Sequence, residues 1–254
     1  MLPIDLNADV GESFGAWHMG ADAELLAFVT SVNVACGFHA GDPQVMDRTV
    51  GLAVKAGIAV GAHPGYPDLR GFGRRAIAAE PAEVEADVIY QVGALAAFAA
   101  AHGARLTHVK PHGALYNQAA TDAVLARAIA RGVARSGRDL VMVGLAGSRA
   151  MREAAASQGL RFAAEAFVDR RYLADGTLQS RRVPGAVISD PAAAAAQAVR
   201  LVREGVVESA EGQEVAVEAE TFCLHGDQPA ALAVARAVRA ALEDAGVTVQ
   251  ALGA

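Results

Sequence analysis

Four of the chain's seven histidines stand just after a segment of strand length with glycine within the next two residues, in the runs Phe38-His39-Ala40-Gly41, Ala62-His63-Pro64-Gly65, Pro111-His112-Gly113 and Leu224-His225-Gly226. Each run directly follows an apolar segment of strand length. Imidazole changes charge near neutral pH, carries protons and ligates metals. One such histidine would be a turn or cap residue; four at matching places point to a shared reaction centre. Polar and acidic residues recur at the same kind of position: Asn7, Asp9 and Glu12 after the first apolar segment, Glu165 and Asp169 after the sixth, Asp227 after the last. Together these could carry general acid and base chemistry. They could also hold a divalent ion, with Asp9, His39 and His63 as the ligand set that adjacent strand ends would supply.

The basic residues are informative by their imbalance. Of 22, twenty are Arg and two are Lys, Lys55 and Lys110. A lysine kept against that bias is expected where a compact charge or a removable proton matters. Lys110 closes the run Leu106-Thr107-His108-Val109-Lys110, whose two-residue period places Leu106, His108 and Lys110 on one face. Either a structural ion pair with Glu165 or Asp9, or a catalytic role, fits that placement. The loop from His63 to Arg75 carries Arg70, Arg74 and Arg75 among prolines and glycines; a guanidinium fork there suits a substrate carboxylate. His102, ending a helical segment, reads as a favourable charge at the helix terminus. His18 and Lys55 read as surface residues.

Absent motifs narrow the chemistry further. There is no Gly-x-x-x-x-Gly-Lys-Ser/Thr phosphate loop, no Gly-x-Ser-x-Gly elbow and no His-Glu-x-x-His. A net charge of −6 argues against nucleic acid or anionic membrane as a partner. Cys36 and Cys223 cannot form a disulfide framework and are expected to be reduced thiols of a cytoplasmic protein. The first dozen residues lack the pattern of a secretory signal, and no apolar run reaches a membrane span.

The elements that must position these residues alternate. Strands are expected near 4–8, 31–36, 58–62, 106–110, 140–143, 161–166 and 221–224, with helices at 21–30, 43–56, 80–101, 122–136, 148–157, 191–204 and 229–244. Asp42-Pro43 and Asp190-Pro191 are cap-then-proline helix starts. Seven β-α units predict parallel strands, in an open doubly wound sheet or a closed barrel. The polar turn Asn7-Ala8-Asp9-Val10-Gly11-Glu12 stands where a dinucleotide fold would need glycines, and the length suits a barrel. One domain over 1–254 is expected, with an inserted loop or hairpin at about 167–187 over one barrel end. Asp9, His39, His63, Lys110 and Glu165 should then meet at the strand C-termini.

The segments DLNADVGESFG (5–15), VNVACGFHAGDP (32–43), GAHPGYPDLRGFGRR (61–75), HVKPHGALYN (108–117) and EAFVDRRYLADGTLQSRR (165–182) resemble the LamB/YcsF family of 5-oxoprolinase A subunits. The likeness runs to about Asp190 and resumes weakly at LHGD (224–227). It implies an irregular seven-stranded parallel β/α barrel of the glycoside hydrolase/deacetylase kind. It further implies ATP-dependent opening of the lactam of 5-oxo-L-proline to L-glutamate, together with partner subunits B and C. Asp169-Arg170-Arg171-Tyr172 meets the family's Asp-Arg-x-Tyr pattern. Residue chemistry then suggests Lys110 at an anionic oxygen or phosphate, Asp9 with His63 or His112 as base and acid, and Arg70 or Arg74 on the substrate carboxylate. Asn7, Glu12, His39, Glu165, Asp169, Arg170 and His225 are further substrate-binding candidates. A self-sufficient metal-dependent amidase or deacetylase, and a non-catalytic subunit that delivers substrate, are the competing readings.

Overall fold

The computed structural model describes residues 3–225 and 230–252. Its strands are β1 (Asp5–Val10), β2 (Ser31–Ala35), β3 (Ala59–His63), β4 (His108–Val109), β5 (Val141–Leu145), β6 (Phe162–Phe167), β7 (Val206–Glu208), β8 (Glu214–Ala216) and β9 (Thr221–His225). Seven of them close a parallel barrel in the order β1-β2-β3-β4-β5-β6-β9, and β7 and β8 form a separate antiparallel pair. The helices are α1 (Asp22–Leu25), α2 (Pro43–Lys55), α3 (Pro81–Ala101), α4 (Gly113–Ala119), α5 (Ala123–Ser136), α6 (Arg149–Ser157), α7 (Pro191–Glu204) and α8 (Ala231–Asp244).

Local sequence accounts for where most helices begin. The Asp42 carboxylate accepts the amides of Gln44 and Val45 ahead of α2, Asp122 those of Val124 and Leu125 ahead of α5, and Asp190 that of Ala192 ahead of α7. Pro43 and Pro191 fill first-turn positions that need no amide hydrogen. Glu80 and Glu83 form a reciprocal capping box ahead of α3. That helix has the length and hydropathy of a membrane span, contrary to the sequence expectation. In the fold it buries Val84, Val88, Val92, Leu95 and Ala99 and packs against α5.

Three expectations need correction. The segment 21–30 holds a helix only at Asp22–Leu25, and the Thr30 hydroxyl is instead engaged with Asp5 and with the backbone of Leu6. The short α4, which begins at a glycine with φ +55°, and the three-residue strands β7 and β8 carry too few residues for a periodic signal. Strand β4 is shorter than 106–110, although Thr107 and Lys110 still donate backbone hydrogen bonds to Val60 and Ala62 on β3.

The barrel wall separates two environments. Leu6, Ala8, Val10, Val32 and Val34 join the large apolar cluster that packs the helices on the strands. The alternate residues point inward and are largely polar. Asp5 accepts hydrogen bonds from Thr30, Ser31 and Thr221, while the Asn7 amide donates to Thr221 and Glu165 across the interior. His108 is buried here between Thr107 (2.7 Å) and Asn33 (2.9 Å). Its ring lies over Gly61 on the neighbouring strand, in space that any side chain at 61 would fill. A smaller apolar group of Val141, Val143 and Ala163, with Leu252 packed on it, stands apart from the large cluster.

Two outcomes follow from this interior. Gly61→Ala should lower stability by about 1–3 kcal/mol through overpacking against His108, read as a shift in the denaturation midpoint. An unshifted midpoint would show that the ring moves aside freely. The second concerns pH: burial, and after it the nearby Lys110 charge, lowers His108 from an ordinary 6.5 to about 3. Below about pH 6.5 the unfolded chain therefore takes up a proton that the folded chain refuses. The stability supplied by neutral His108 is complete above that pH and is lost as pH falls towards 3. Between pH 6 and 4 the unfolding free energy of the wild type should fall more steeply than that of His108→Gln, by up to about 1.4 kcal/mol per pH unit. Equal slopes would count against the assignment.

Candidate active site

The strand C-termini converge around the Lys110 ammonium. Its Nζ lies 2.7 Å from Glu165 Oε1, 2.9 Å from Asp9 Oδ1, 3.1 Å from Asn7 Oδ1 and 3.1 Å from Cys223 Sγ. Burial opposes a charge at this depth, but the Asp9 and Glu165 carboxylates outweigh it and hold the ammonium well above its usual range. Of the two roles open from sequence, the ion pair is present, and it involves both carboxylates. An ammonium has three hydrogens and four acceptors here, so Lys110 has none to offer a developing oxyanion. Its partner Asp9 also accepts at Oδ1 from Asn33, at 2.9 Å.

Beside Asp9 stands a wall of imidazoles. His63 Nδ1 donates to the backbone carbonyl of Lys110 at 2.7 Å, which leaves its Nε2 facing Asp9 Oδ2 at 3.3 Å and His112 Nδ1 at 3.0 Å. His112 Nε2 in turn donates to the carbonyl of Phe72 at 2.9 Å. A carbonyl can only accept, so both tautomers are fixed and the two facing nitrogens carry no hydrogen in the neutral rings. In the neutral rings the facing nitrogens are acceptors, so an acid role for His63 or His112 requires the imidazolium form. Phe72 sits at φ 56°, a left-handed conformation uncommon outside glycine, and its carbonyl meets His112 there. His39 stacks on His112 with ring centroids 3.7 Å apart, and its Nε2 is 3.5 Å from Glu12 Oε1. Burial, and then the neighbouring imidazoles, lowers the His39 and His112 values well below that of a free histidine.

A cavity of about 520 Å³ opens above this floor. Asp9, Glu12, His63, Lys110 and His112 line it from below, and Arg74, Arg170, Arg181 and Arg182 from the sides. Burial, and after it the nearby Arg181, draws the Arg170 guanidinium down to about 10. The insertion expected at 167–187 is a loop over this barrel end, held by the bridges Arg170 to Val187 and Tyr172 to Leu178. Gln197 of α7 donates to the carbonyls of Phe167, Val168 and Arg170 at its root.

The five residues expected to meet at the strand ends do share one end of the barrel. His39 and Glu165, however, lie buried behind the cavity surface, as do Asn7 and Asp169. Arg70 stands exposed on a short 3-10 turn away from the cavity, so Arg74 is the guanidinium of that loop placed for an anion. Arg75 is committed to Asp68. The His225 backbone pairs beside Asp9; its side chain, like the whole of Asp227, lies outside the described residues. Sequence reasoning passed over Asn33, Cys223, Arg181 and Arg182. The two arginines were legible as the pair closing the inserted segment, whereas nothing distinguished Asn33 or Cys223 from other inward strand residues.

The whole chain has extensive likeness to known proteins. A protein from Heliobacterium modesticaldum, named as the A subunit of 5-oxoprolinase, is 56% identical, covering 98% of each chain. Another so named, from Symbiobacterium thermophilum, is 57% identical, over 99% of this chain and 96% of its own length. The crystal structure of a lactam utilization protein from Thermus thermophilus superposes with a TM-score of 0.93 at 53% identity, over 99% of this chain and all of that one. The family model described as LamB/YcsF matches residues 4–254, and this barrel, with its lysine-centred floor and imidazole wall, belongs to the LamB/YcsF family.

Proposed function

We propose that the chain is the A component of an ATP-dependent 5-oxoprolinase, in which the lactam of 5-oxo-L-proline is opened to L-glutamate. The observation that carries this reading is a carboxylate, Asp9, paired with Lys110 at the floor of a cavity edged by four arginines. That is a general base placed under an anion site. Full-length relatives named for the same activity support it.

An unstrained lactam is a resonance-stabilised amide and resists water until its oxygen is activated, for example by phosphoryl transfer. The sequence carries no phosphate loop, so the nucleotide chemistry falls to partner subunits B and C in the cytoplasm, where ATP is present. The arginines at the mouth suit an activated, phosphate-bearing lactam as well as its carboxylate. Asp9 Oδ2 takes a proton from the attacking water, held in place through Oδ1 by Lys110 and Asn33. The departing ring nitrogen then takes that proton back from Asp9 as the amide bond breaks.

ADP and glutamate formation from 5-oxoproline tests the reading directly. Product should appear when this chain is combined with B-type and C-type subunits, and should be absent with any component alone. Robust 5-oxoproline-dependent ADP release by this chain alone would refute the division of labour, and a complete mixture that forms no glutamate would refute the activity. The positioning role of Lys110 has its own signature. Lys110→Arg keeps the charge but crowds the floor; misplacing Asp9 by about 1 Å should lower turnover on the order of a hundredfold, while the acid limb of the pH profile stays in place. Lys110→Gln removes the charge and should move that limb to higher pH, because Asp9 then loses the cation that favours its ionised form. Unaltered turnover in folded Lys110→Arg would leave the lysine a general positive charge and nothing more.

A further inference from the structure

The imidazole wall contains an arrangement that the lactam reaction does not use. His63 Nε2 and His112 Nδ1 are 3.0 Å apart, and each ring has given its other nitrogen's hydrogen to a backbone carbonyl. Two bare lone pairs at that separation repel unless a proton or a metal ion lies between them. Imidazoles that ligate a metal are typically fixed this way, with the remote nitrogen donating to a carbonyl or carboxylate that sets the tautomer. Glu12 Oε1 completes the enclosure at 3.6 Å from His112 Nδ1 and 3.5 Å from His39 Nε2.

The third ring supplies an independent observation. Both nitrogens of His39 are buried without a hydrogen-bond partner among the described residues, an arrangement costly for a polar group in a packed interior. Space has been kept for it: a Cβ at Gly65 or Gly73 would press on the His39 ring, and one at Gly73 would also meet His112. One donor atom each from Glu12, His39, His63 and His112 falls within a 4.8 Å cluster. Tetrahedral coordination with bonds of about 2.0–2.1 Å would place neighbouring donors about 3.3 Å apart. Three of the six pair distances, 3.0, 3.5 and 3.6 Å, lie around that value, and the remaining pairs fall within 4.8 Å.

We propose that Glu12, His39, His63 and His112 form a binding site for one divalent transition-metal ion, Zn²⁺ being the ion that three imidazoles and a carboxylate suit. The set differs from the trio Asp9, His39 and His63 considered from sequence: Asp9, with Oδ1 held by Lys110 and Asn33 and Oδ2 3.3 Å from His63 Nε2, borders the four-donor cluster without belonging to it. His39 is parallel to His112 in the stack and no hydrogen bond fixes its plane, so it is the ring that turns to close on the ion. The site adjoins the cavity through Glu12, His63 and His112.

The test uses the full chain after chelation, titrated with Co²⁺ and followed by visible absorption. One Co²⁺ per chain is expected, with the intense bands of four-coordinate cobalt, displaced stoichiometrically by Zn²⁺. His63→Gln and His112→Gln should each weaken binding by more than about a hundredfold, the upper range for losing even an outer partner of a ligand. Asp9→Asn should leave the stoichiometry and spectrum as they are. Where a variant fails to fold, histidine nitrogen NMR of the wild type decides: Zn²⁺ should move the ring resonances of His39, His63 and His112 and leave those of His102 and His108 in place. Absence of Co²⁺ and Zn²⁺ binding by the wild type would overturn the proposal, as would cobalt lost with Asp9 but retained without His112, or resonance shifts confined to other histidines. None of these readouts depends on 5-oxoproline turnover, so this site and the proposed activity fail separately.

Discussion

A charged amine at the centre of a barrel is the constraint around which this protein is arranged. Lys110 is almost wholly enclosed, and an ammonium at that depth persists only with partners that replace water. Those partners come from other strands: Asn7 and Asp9 from β1, Glu165 from β6 and Cys223 from β9. Removing one side of such a pair typically costs about 3–5 kcal/mol, because the charge left behind is unpaired. The barrel's closure and the order of its floor are therefore the same fact. Four strands cannot drift apart without exposing that ammonium to a worse environment.

The rest of the interior follows from that choice. A barrel core made of branched apolar residues would have no means of satisfying the lysine, so the inward positions on this side are Asn, Asp, Ser, Thr and His, each bonded across the strands. Asn33 illustrates the linkage: its amide donates to both Asn7 and Asp9, and its carbonyl oxygen faces His108. Small residues make room where rings must fit, as Gly61 does for His108 and Gly65 for His39. Backbone strain appears where the network meets the outer loop, at Phe72, whose left-handed conformation is accompanied by a carbonyl bond to His112. The cavity face is thus an extension of the polar interior rather than a set of groups placed on an apolar scaffold.

Much of this was legible in the sequence because parallel barrels convert order along the chain into position around a ring. Apolar segments of strand length located six of the seven barrel strands closely, and the His-x-Gly or His-Gly runs that follow four of the seven helped to put Asp9, His63, Lys110 and His112 around one cavity. The depth of each residue was not legible. Period-2 alternation says that Asn7 and Asp9 point inward, but only the closed barrel shows that Asn7 lies a layer below Asp9, and that Glu165 faces the lysine and not the cavity. Arg70 and Arg74 looked equivalent on one loop; the short 3-10 turn at Leu69–Gly71 separates them. Donor direction was also hidden. His63 and His112 had the right type and spacing for acid chemistry, and backbone carbonyls, invisible to residue identity, take the one hydrogen that each neutral ring carries.

The two thiols carry a consequence of a different kind. Cys36 and Cys223 are both buried and unbridged, burial drives the Cys36 thiol up to about 12, and Cys223 is likewise held protonated beside the floor network. Alkylating reagents attack the thiolate and need access to it, so neither sulfur is reactive in the closed barrel. Modification then requires an opening fluctuation large enough to part β9 or the end of β2 from its neighbours. The rate of alkylation at these positions becomes a clock for the breathing of the barrel itself, readable residue by residue without adding a probe to the chain.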